Sequence, residues 1–414
     1  MEENTRTRLM DNKYIRVTIL ATLFSQMGIW IRNFSVILFI MESTNNDSVA
    51  VSWIYVAEYF PIFIFSIIGG AFADRWRPKR TLIICDYLSA FSVISVLLAL
   101  LAGVWQAIFV TTLVSAILSQ FSQPSGMKLM KLHVPQELIQ SAMALYQTLI
   151  SIFLILGPVI GTFVYQQLGI YVSIGIVGTA FLMSGLILLM LPSDSQVRAQ
   201  GRHHLWKELK EGFSYVYQSP ILRYLGVAYI LGGLAVGTVQ PLMIFVIVEK
   251  LSANTEDLQW FSLVSGGAMI IGGVIVIWAA KRMIPQKVLA IGNIANAFIN
   301  AAMGFSTNFK VTIGLQFLSG LILPFIQVGI NTIVMKSTNI SFVGRVNGVF
   351  IPIYTGSLLG MTAMSGWLKQ YMSIESLFVL SGAFFVMSTL VIVRMFRFGF
   401  DSASGSIASN AKGL

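Results

Sequence analysis

Residues 67–84 read IIGGAFADRWRPKRTLII, an apolar run that ends in a short basic loop and is followed at once by a second apolar run. The first run begins near residue 49, and the second extends to about residue 101. Each is long enough to cross a bilayer, which takes about 20 mostly apolar residues. Because Lys and Arg accumulate in cytoplasmic loops, the stretch predicts two membrane-spanning helices joined on the cytoplasmic side.

The composition of the whole chain extends this pattern. Of its 414 residues, 56% are hydrophobic and 11% are charged, and the mean hydropathy is +0.78. A soluble domain carries about 25% charged residues, so the composition excludes a soluble enzyme or a soluble nucleic-acid-binding protein. The single cysteine, Cys85, excludes an intrachain disulfide and argues against a metal cluster.

Twelve apolar runs predict an all-α membrane protein with 12 transmembrane helices. The predicted spans one to twelve cover residues 15–41, 49–72, 81–101, 104–121, 139–165, 170–191, 221–248, 259–280, 288–307, 311–335, 345–368 and 374–396. The first run, at about 27 residues, is longer than the apolar part of a signal peptide, so we expect it to remain as a membrane anchor.

Basic residues alternate between the two sets of loops. Of the 27 Lys and Arg residues, only Lys250, Lys310 and Lys369 lie in the set opposite the basic loops, and Arg32 lies within a span. The positive-inside rule then places both termini in the cytoplasm, and we expect a multi-pass protein of the bacterial cytoplasmic (inner) membrane. The basic residues of the cytoplasmic loops are attracted to anionic lipid. The positive net charge therefore does not indicate a nucleic-acid partner, and none is expected.

Two sequence repeats indicate an internal duplication. Ile67-Ile68-Gly69-Gly70 recurs at residues 270–273, and Gln123 matches Gln327, at offsets of 203 and 204 residues. The predicted organisation is a six-helix bundle at 1–191, a cytoplasmic linker at 192–220, a six-helix bundle at 221–400, and a disordered tail at 401–414. The linker contains an amphipathic helix, which either lies on the inner membrane surface or is a solvated connection. A duplicated transporter of this kind binds its substrate near the bilayer midplane between the halves.

Three ionisable residues fall inside predicted spans, where each costs about 2.5–3.5 kcal/mol on insertion scales. Arg32 and Glu58 each lie nine residues from the outer end of their spans, about 13 Å deep, so the sequence predicts a level ion pair. Glu58 either takes up a proton and releases Arg32, or holds two helices together permanently. Asp86, five residues into span three, is either a proton site or an inter-helix hydrogen-bond partner.

The loop at 70–80, GAFADRWRPKR, resembles the cytoplasmic signature G-x-x-x-D-R-x-G-R-K of the major facilitator superfamily, with departures at Arg77 and Pro78. The resemblance implies the major facilitator fold, two pseudo-symmetric six-helix bundles. It also implies that Asp74 latches span two to the start of span eleven. The latch residues would be Gly70, Asp74, Arg75 and Arg345.

Other segments resemble particular branches of that superfamily. Gly157-Pro158-Val159-Ile160-Gly161 resembles the core of the antiporter motif, which would make Gly157, Pro158 and Gly161 a hinge; the alternative is a packing kink. VPQEL at 134–138 and LKEGF at 209–213 resemble the macrolide-efflux-type branch. This implies a secondary exporter of amphipathic small molecules, such as antibiotics, macrolide-like drugs or siderophore-like metabolites.

The expected protein is therefore a transporter and not an enzyme. It needs no cofactor, uses protons as the energy source by antiport, acts in the lipid bilayer and works as a monomer. No phosphate-binding G-x-x-x-x-G-K-[ST] sequence occurs. Residues expected at the substrate cavity from their depth are Trp30, Gln147, Gln240, Asn296 and Gln327. Two alternatives stay open, namely a metabolite importer or facilitator of the same superfamily, and a receptor or lipid-handling membrane protein.

Overall fold

The computed structural model describes residues 11–75, 77–192, 205–280, 283–339 and 342–396, with side-chain surroundings left undescribed at 66–75, 205–206 and 280. Regular structure within these ranges is helical, without a strand. The helices are α1 Lys13–Ser43, α2 Ser48–Arg75, α3 Pro78–Leu101, α4 Ala107–His133, α5 Gln136–Leu189, α6 Leu205–Gln218, α7 Pro220–Val239, α8 Leu258–Ala280, α9 Pro285–Phe305, α10 Phe309–Ser337, α11 Val343–Tyr371 and α12 Ile374–Met395.

Local sequence signals set several helix starts. The side chain of Asn12 accepts hydrogen bonds from the backbone N–H groups of Tyr14 and Ile15, which caps α1. Pro78 and Pro285 occupy the first positions of α3 and α9, where a missing N–H does no harm. Helix α7 continues past Val239 through a 3₁₀ turn and a short π-helix that ends at Lys250.

The twelve predicted crossings are present, although two of them share one continuous helix. Eleven helices in the described residues are long and apolar enough to span a membrane, and α5 has 54 residues. At 1.5 Å per residue α5 would measure about 81 Å, more than twice the thickness of a bilayer core. Gly169 divides it, since its backbone (φ 70°, ψ 178°) is non-helical and suits glycine.

Contacts with α1 establish that the chain reverses at Gly169. Before it, Gly157 lies on Trp30 and Gly161 lies on Phe34, so this arm runs parallel to α1. After it, the contact order is inverted. Phe181 lies beside Gly28, and the hydroxyl of Ser184 lies 3.1 Å from the carbonyl oxygen of Ala21. The two arms of α5 are therefore spans five and six.

The chain forms two compact units. The first comprises residues 1–46 and 57–202 and the second residues 47–56 and 203–414, as far as these ranges are described. The beginning of α2 belongs with the second unit, where the hydroxyl of Ser48 donates to the carbonyl of Gly366 at 2.8 Å. The predicted tail at 401–414 and the linker before Leu205 lie outside the described residues.

The amphipathic helix α6 is docked by one of its faces. Tyr215 and Val216 are buried in a core that includes Leu222 and Phe350. In the same helix, Phe213 and Tyr217 are 60% and 65% exposed. Since four residues are about one helical turn, these two aromatic rings form a single exposed pair beside the docked face.

Opposite charges pair at the end of the second unit that the positive-inside rule assigns to the outer side. Lys250 lies 2.5 Å from Glu375, and Lys369 lies 2.6 Å from Glu249. Two of the three basic residues in the predicted outer loops are thus neutralised by acidic neighbours. Each partly exposed pair contributes about 0.2–1 kcal/mol.

Candidate functional site

A polar cavity of about 210 Å³ lies inside the first unit, among α1, α2, α3, α4 and α5. It gathers Arg32, Glu58 and Asp86, the three ionisable residues that the sequence analysis singled out inside spans. The hydroxyl and amide side chains around it are those of Thr18, Thr22, Ser25, Gln26, Ser89, Ser115, Ser119, Gln120, Ser122, Gln123 and Ser184. Ionisable groups within apolar helices are costly, so this cavity is the candidate functional site.

Arg32 and Glu58 are joined through a third residue rather than by the predicted direct ion pair. Nε and Nη2 of Arg32 donate to Oδ1 of Asn33 at 3.2 and 2.7 Å. Nδ2 of Asn33 donates in turn to Oε1 of Glu58 at 3.4 Å. The sequence analysis placed the two charges at one depth but overlooked Asn33, whose amide can accept from one and donate to the other.

Three buried polar atoms around the cavity have no hydrogen-bond partner among the residues that the structure describes. They are Nη1 of Arg32, Oγ1 of Thr18 and Oγ of Ser115. Arg32 is only 4% exposed, and a guanidinium keeps its charge under all ordinary conditions. Because unsatisfied buried polar atoms are costly, these three atoms are suited to hold water or the polar groups of a bound molecule.

Asp86 joins α3 to both α1 and the second arm of α5. Its Oδ2 lies 2.6 Å from the hydroxyl of Ser184, which also lies 3.1 Å from the carbonyl of Ala21. Helix α3 begins at Pro78, so Asp86 is eight residues, about 12 Å, along the helix. The helix thus begins three residues before the predicted span, and Asp86 is 5% exposed.

Neutral residues occupy the corresponding helices of the second unit. Nδ2 of Asn293 donates to Oγ of Ser388 at 2.9 Å, and Nδ2 of Asn300 donates to Oγ of Ser381 at 3.4 Å. Asn296, expected at a substrate cavity, is 4% exposed and accepts a hydrogen bond from Ser319 at 3.2 Å. Its amide thus serves an α9–α10 contact.

The antiporter-like segment forms a close helix contact. A Cβ on Gly157 would collide with the ring of Trp30, and one on Gly161 would come within 2.8 Å of Phe34. Trp30 therefore covers Gly157 and does not line the cavity of the first unit, and its expected place at a substrate cavity stays a prediction. Pro158 is buried inside the first arm of α5. The backbone of α5 is non-helical at Gly169 and not at Pro158. The geometry favours the packing interpretation for both glycines.

The remaining amides expected at a substrate cavity lie outside the cavity of the first unit. Gln147 and Gln327 are exposed, and Gln240 is half-buried in the 3₁₀ turn after α7. None of the three lines the cavity of the first unit, where Tyr146 takes the place beside Gln147. Their expected place at a substrate cavity stays a prediction.

The lining of the cavity in the first unit has a signal in the sequence, namely polar residues at a repeated spacing, which the sequence analysis did not use. The polar residues Thr18, Thr22, Ser25 and Gln26 recur in α1 at helical spacing, and the same spacing recurs in α4 at Ser115, Ser119, Ser122 and Gln123. Residues spaced by three and four lie on one face of a helix. Two matching polar stripes in apolar spans predict two faces turned towards a shared cavity.

The proposed latch is described at one residue only. The side chains of Gly70, Asp74 and Arg75 lie outside the described residues. Arg345 lies 3.4 Å from Glu211 of α6, and its guanidinium sits 4.7 Å from the centre of the Phe342 ring. These contacts attach α6 to the beginning of α11.

Helices, cavity and charge distribution together define a membrane transporter. Residues 18–252, more than half of the chain, match the Major Facilitator Superfamily, and the protein belongs to that superfamily. Its members are transporters rather than enzymes.

Individual relatives agree with this assignment. The chain is 24% identical over 374 residues to the uncharacterized MFS-type transporter YkuC of Bacillus subtilis (strain 168), covering 86% of this chain and 85% of that protein. It is 23% identical over 359 residues to the multidrug efflux pump Tap of Mycobacterium tuberculosis (strain ATCC 25618 / H37Rv), covering 82% and 83%. The crystal structure of the nucleoside transporter NupG superposes with a TM-score of 0.75 at 13% identity, over 94% of this chain and all of that chain, a likeness of fold alone.

Proposed function

We propose that this protein is a secondary exporter of amphipathic small molecules, driven by protons that enter in exchange. Drugs of the antibiotic or macrolide type and siderophore-like metabolites are the cargo class, as in the macrolide-efflux-type branch. The transporter works by alternating access in the bacterial cytoplasmic membrane, with both termini in the cytoplasm and without a cofactor. The observation that carries the proposal is the cavity that holds Arg32, Glu58 and Asp86 together.

The contacts of Arg32 supply a coupling mechanism. An ionised Glu58 attracts the guanidinium through Asn33, whereas a neutral Glu58 does so only weakly. A proton that binds Glu58 therefore changes how firmly α1 is held to α2. A ligand shifts a conformational equilibrium only through such a difference between states, and the proton is that ligand here.

The same cavity supplies groups for a polar part of the cargo. Nη1 of Arg32 and the hydroxyls of Thr18 and Ser115 have no hydrogen-bond partner in the described part of the chain. A cargo oxygen bound there would compete with Glu58 for the guanidinium. The protonation state of Glu58 and the binding of cargo would then be coupled through Arg32. The similarity to the multidrug efflux pump Tap supports the direction and the cargo class.

Drug tolerance tests export most directly. A bacterial host that lacks its own pumps, with or without this protein, is exposed to a panel of amphipathic antibiotics in the presence and absence of a protonophore. We expect the protein to raise tolerance to some compounds and the protonophore to abolish that gain. Faster accumulation of a compound would indicate an importer. Lipid movement across liposomes without movement of any soluble compound would indicate a lipid-handling protein.

Glu58→Gln tests the coupling site. Glutamine keeps an oxygen that accepts from Asn33 but cannot exchange a proton, so we expect proton-driven export to be lost while the protein still inserts and folds. The matched control is Glu137→Gln, since Glu137 is an exposed acid at the start of α5. If the Glu58 variant still moves cargo uphill under a pH gradient, Glu58 is not the coupling site.

The latch completes the proposal for the conformational cycle. Asp74, with Gly70, Arg75 and Arg345, would hold the cytoplasmic ends together in one state, as the superfamily signature implies. Asp74→Asn is then expected to slow turnover more than it weakens cargo binding. Normal turnover in that variant would remove the latch from the mechanism.

A further inference from the structure

The hydroxyl group of Ser184 has one hydrogen and two acceptors within hydrogen-bond distance. Its hydroxyl oxygen lies 2.6 Å from Oδ2 of Asp86 and 3.1 Å from the carbonyl oxygen of Ala21. A backbone carbonyl can only accept, and an ionised carboxylate can only accept. A serine hydroxyl has a single hydrogen, so it cannot donate fully to both. The arrangement is complete if one of the two acceptors brings a hydrogen of its own.

The second unit contains the same pair with a hydrogen supplied. Asp86 lies eight residues after Pro78 in α3, and Asn293 lies eight residues after Pro285 in α9. Ser184 ends the sequence Phe-Leu-Met-Ser, and Ser388 ends Phe-Val-Met-Ser. In the second unit the amide of Asn293 donates to the hydroxyl of Ser388 at 2.9 Å. The carboxyl of Asp86 occupies the place of a hydrogen-bond donor.

The surroundings offer an ionised Asp86 little compensation. Asp86 is 5% exposed and Ser184 is 1% exposed, so bulk water contributes little. The other charged or titratable groups around the cavity are Arg32, Glu58, Cys85 and Tyr146. Nε and Nη2 of Arg32 are directed to Asn33, and within the described part of the chain no Lys or Arg forms an ion pair with Asp86. A buried charge without an ionic partner is strongly disfavoured.

We propose that Asp86 is a proton-binding site and that the structure captures it as the neutral acid. Oδ2–H of Asp86 donates to the oxygen of Ser184, and the Ser184 hydroxyl donates to the carbonyl of Ala21. When the O–H bond of Asp86 breaks, its proton passes to cavity water. Ser184 then turns its hydrogen to the new carboxylate and releases Ala21. Loss of the proton therefore loosens α1 from the second arm of α5.

This inference deepens the proposed function, because it names a second atom on which a transported proton rests. It is tested without transport by infrared difference spectroscopy of the purified protein in lipid, recorded through a pH step. The C=O stretch of a protonated carboxylic acid is expected in the wild type and in Glu58→Gln, and is expected to be absent in Asp86→Asn. A band that persists unchanged in Asp86→Asn, or one that only Glu58→Gln removes, would overturn the proposal.

The duplicate pair provides a matched variant. Asn293→Asp places a carboxyl group in the corresponding environment of the second unit, so a second carboxylic acid band is expected. An ionised carboxylate at 293 would overturn the argument from the duplicate. The thermal unfolding midpoint of Asp86→Asn is expected to equal that of the wild type, because the asparagine amide still donates a hydrogen bond to Ser184.

The outcomes separate this site from the function that it would serve. An Asp86 band in a protein that exports nothing would support the proton site and contradict the exporter. Drug export by a protein without an Asp86 band would support the exporter and contradict the proton site. Both results come from the full-length protein.

Discussion

The two units use one helix arrangement with different polar chemistry. In the first, Asp86 meets Ser184 beside a cavity that also holds Arg32 and Glu58. In the second, Asn293 meets Ser388, and the transmembrane helices use neutral amides between neighbours. The duplicated contact needs only a donor and an acceptor, which an amide and a hydroxyl supply. Ionisable groups in the first unit therefore require an explanation other than packing.

Close helix contacts repeat between the units in a different way. In the first, Gly161 of α5 approaches α1. In the second, Gly233 and Gly237 of α7 approach the backbone of α11 at Tyr354 and Leu358. The small residue lies on the fifth span in one unit and on the first span in the other. Contact between these helices is thus retained while the residue that permits it changes sides.

The largest effect on stability is expected at Arg32 and Glu58, the charged residues at the cavity of the first unit. Glu58→Leu removes the acid and leaves Arg32, which cannot lose its charge, so we expect a loss of about 3–5 kcal/mol in stability. The double variant Arg32→Met with Glu58→Leu is expected to recover most of it. Thermal unfolding in detergent measures both changes. A Glu58→Leu protein as stable as the wild type would show that Arg32 has other compensation.

A smaller effect is expected where the two units agree. Gly161→Leu and Gly237→Leu each force a side chain into a filled helix contact, and each should cost about 1–3 kcal/mol. Gly175→Leu is the control, because a Cβ there meets nothing within 4 Å. The readout is the thermal unfolding midpoint of each purified variant. Unequal losses at Gly161 and Gly237 would contradict the equivalence of the two contacts.

The serine pair distinguishes chemistry from packing. Ser184→Ala and Ser388→Ala each remove one buried hydrogen bond, which contributes about 1 kcal/mol, so their effects on stability should be similar. Their effects on export should differ, because only Ser184 contacts an acid. Drug export measured beside thermal unfolding separates the two. Equal loss of export in both variants would place the functional difference between the units elsewhere.

The smallest effect concerns partly exposed contacts at the predicted outer ends. Lys369→Met breaks the pair with Glu249 in the second unit and should cost about 0.2–1 kcal/mol, with the difference reduced by salt. Tyr165→Phe in the first unit removes a 2.6 Å hydrogen bond to Glu42 and should show a weaker salt dependence. Unfolding midpoints at low and high salt measure both. A loss of stability in Tyr165→Phe that depends on salt more strongly than the loss in Lys369→Met would contradict this prediction.

The sequence predicted the spans well because hydropathy depends on the residues alone. It placed Arg32 and Glu58 at one level, since helical rise fixes depth. It could not identify Asn33 as the connection, because that depends on how α1 turns about its axis. The expected cavity residues Trp30 and Gln147 stay predictions, because they rest on depth alone and depth leaves the direction of a side chain undecided. The repeated polar spacing in α1 and α4 contained that information.

The reversal at Gly169 has a practical consequence for labelling experiments. Spans five and six meet at Gly169 without a loop, and both arms of α5 contact α1. An epitope or a fluorophore linker inserted at Gly169 would therefore disturb these helix contacts. The turns at 44–47 and 102–106 connect other spans on the predicted outer side and do not interrupt a helix contact of this kind. Tags that report which face of the membrane a loop occupies belong in those two turns.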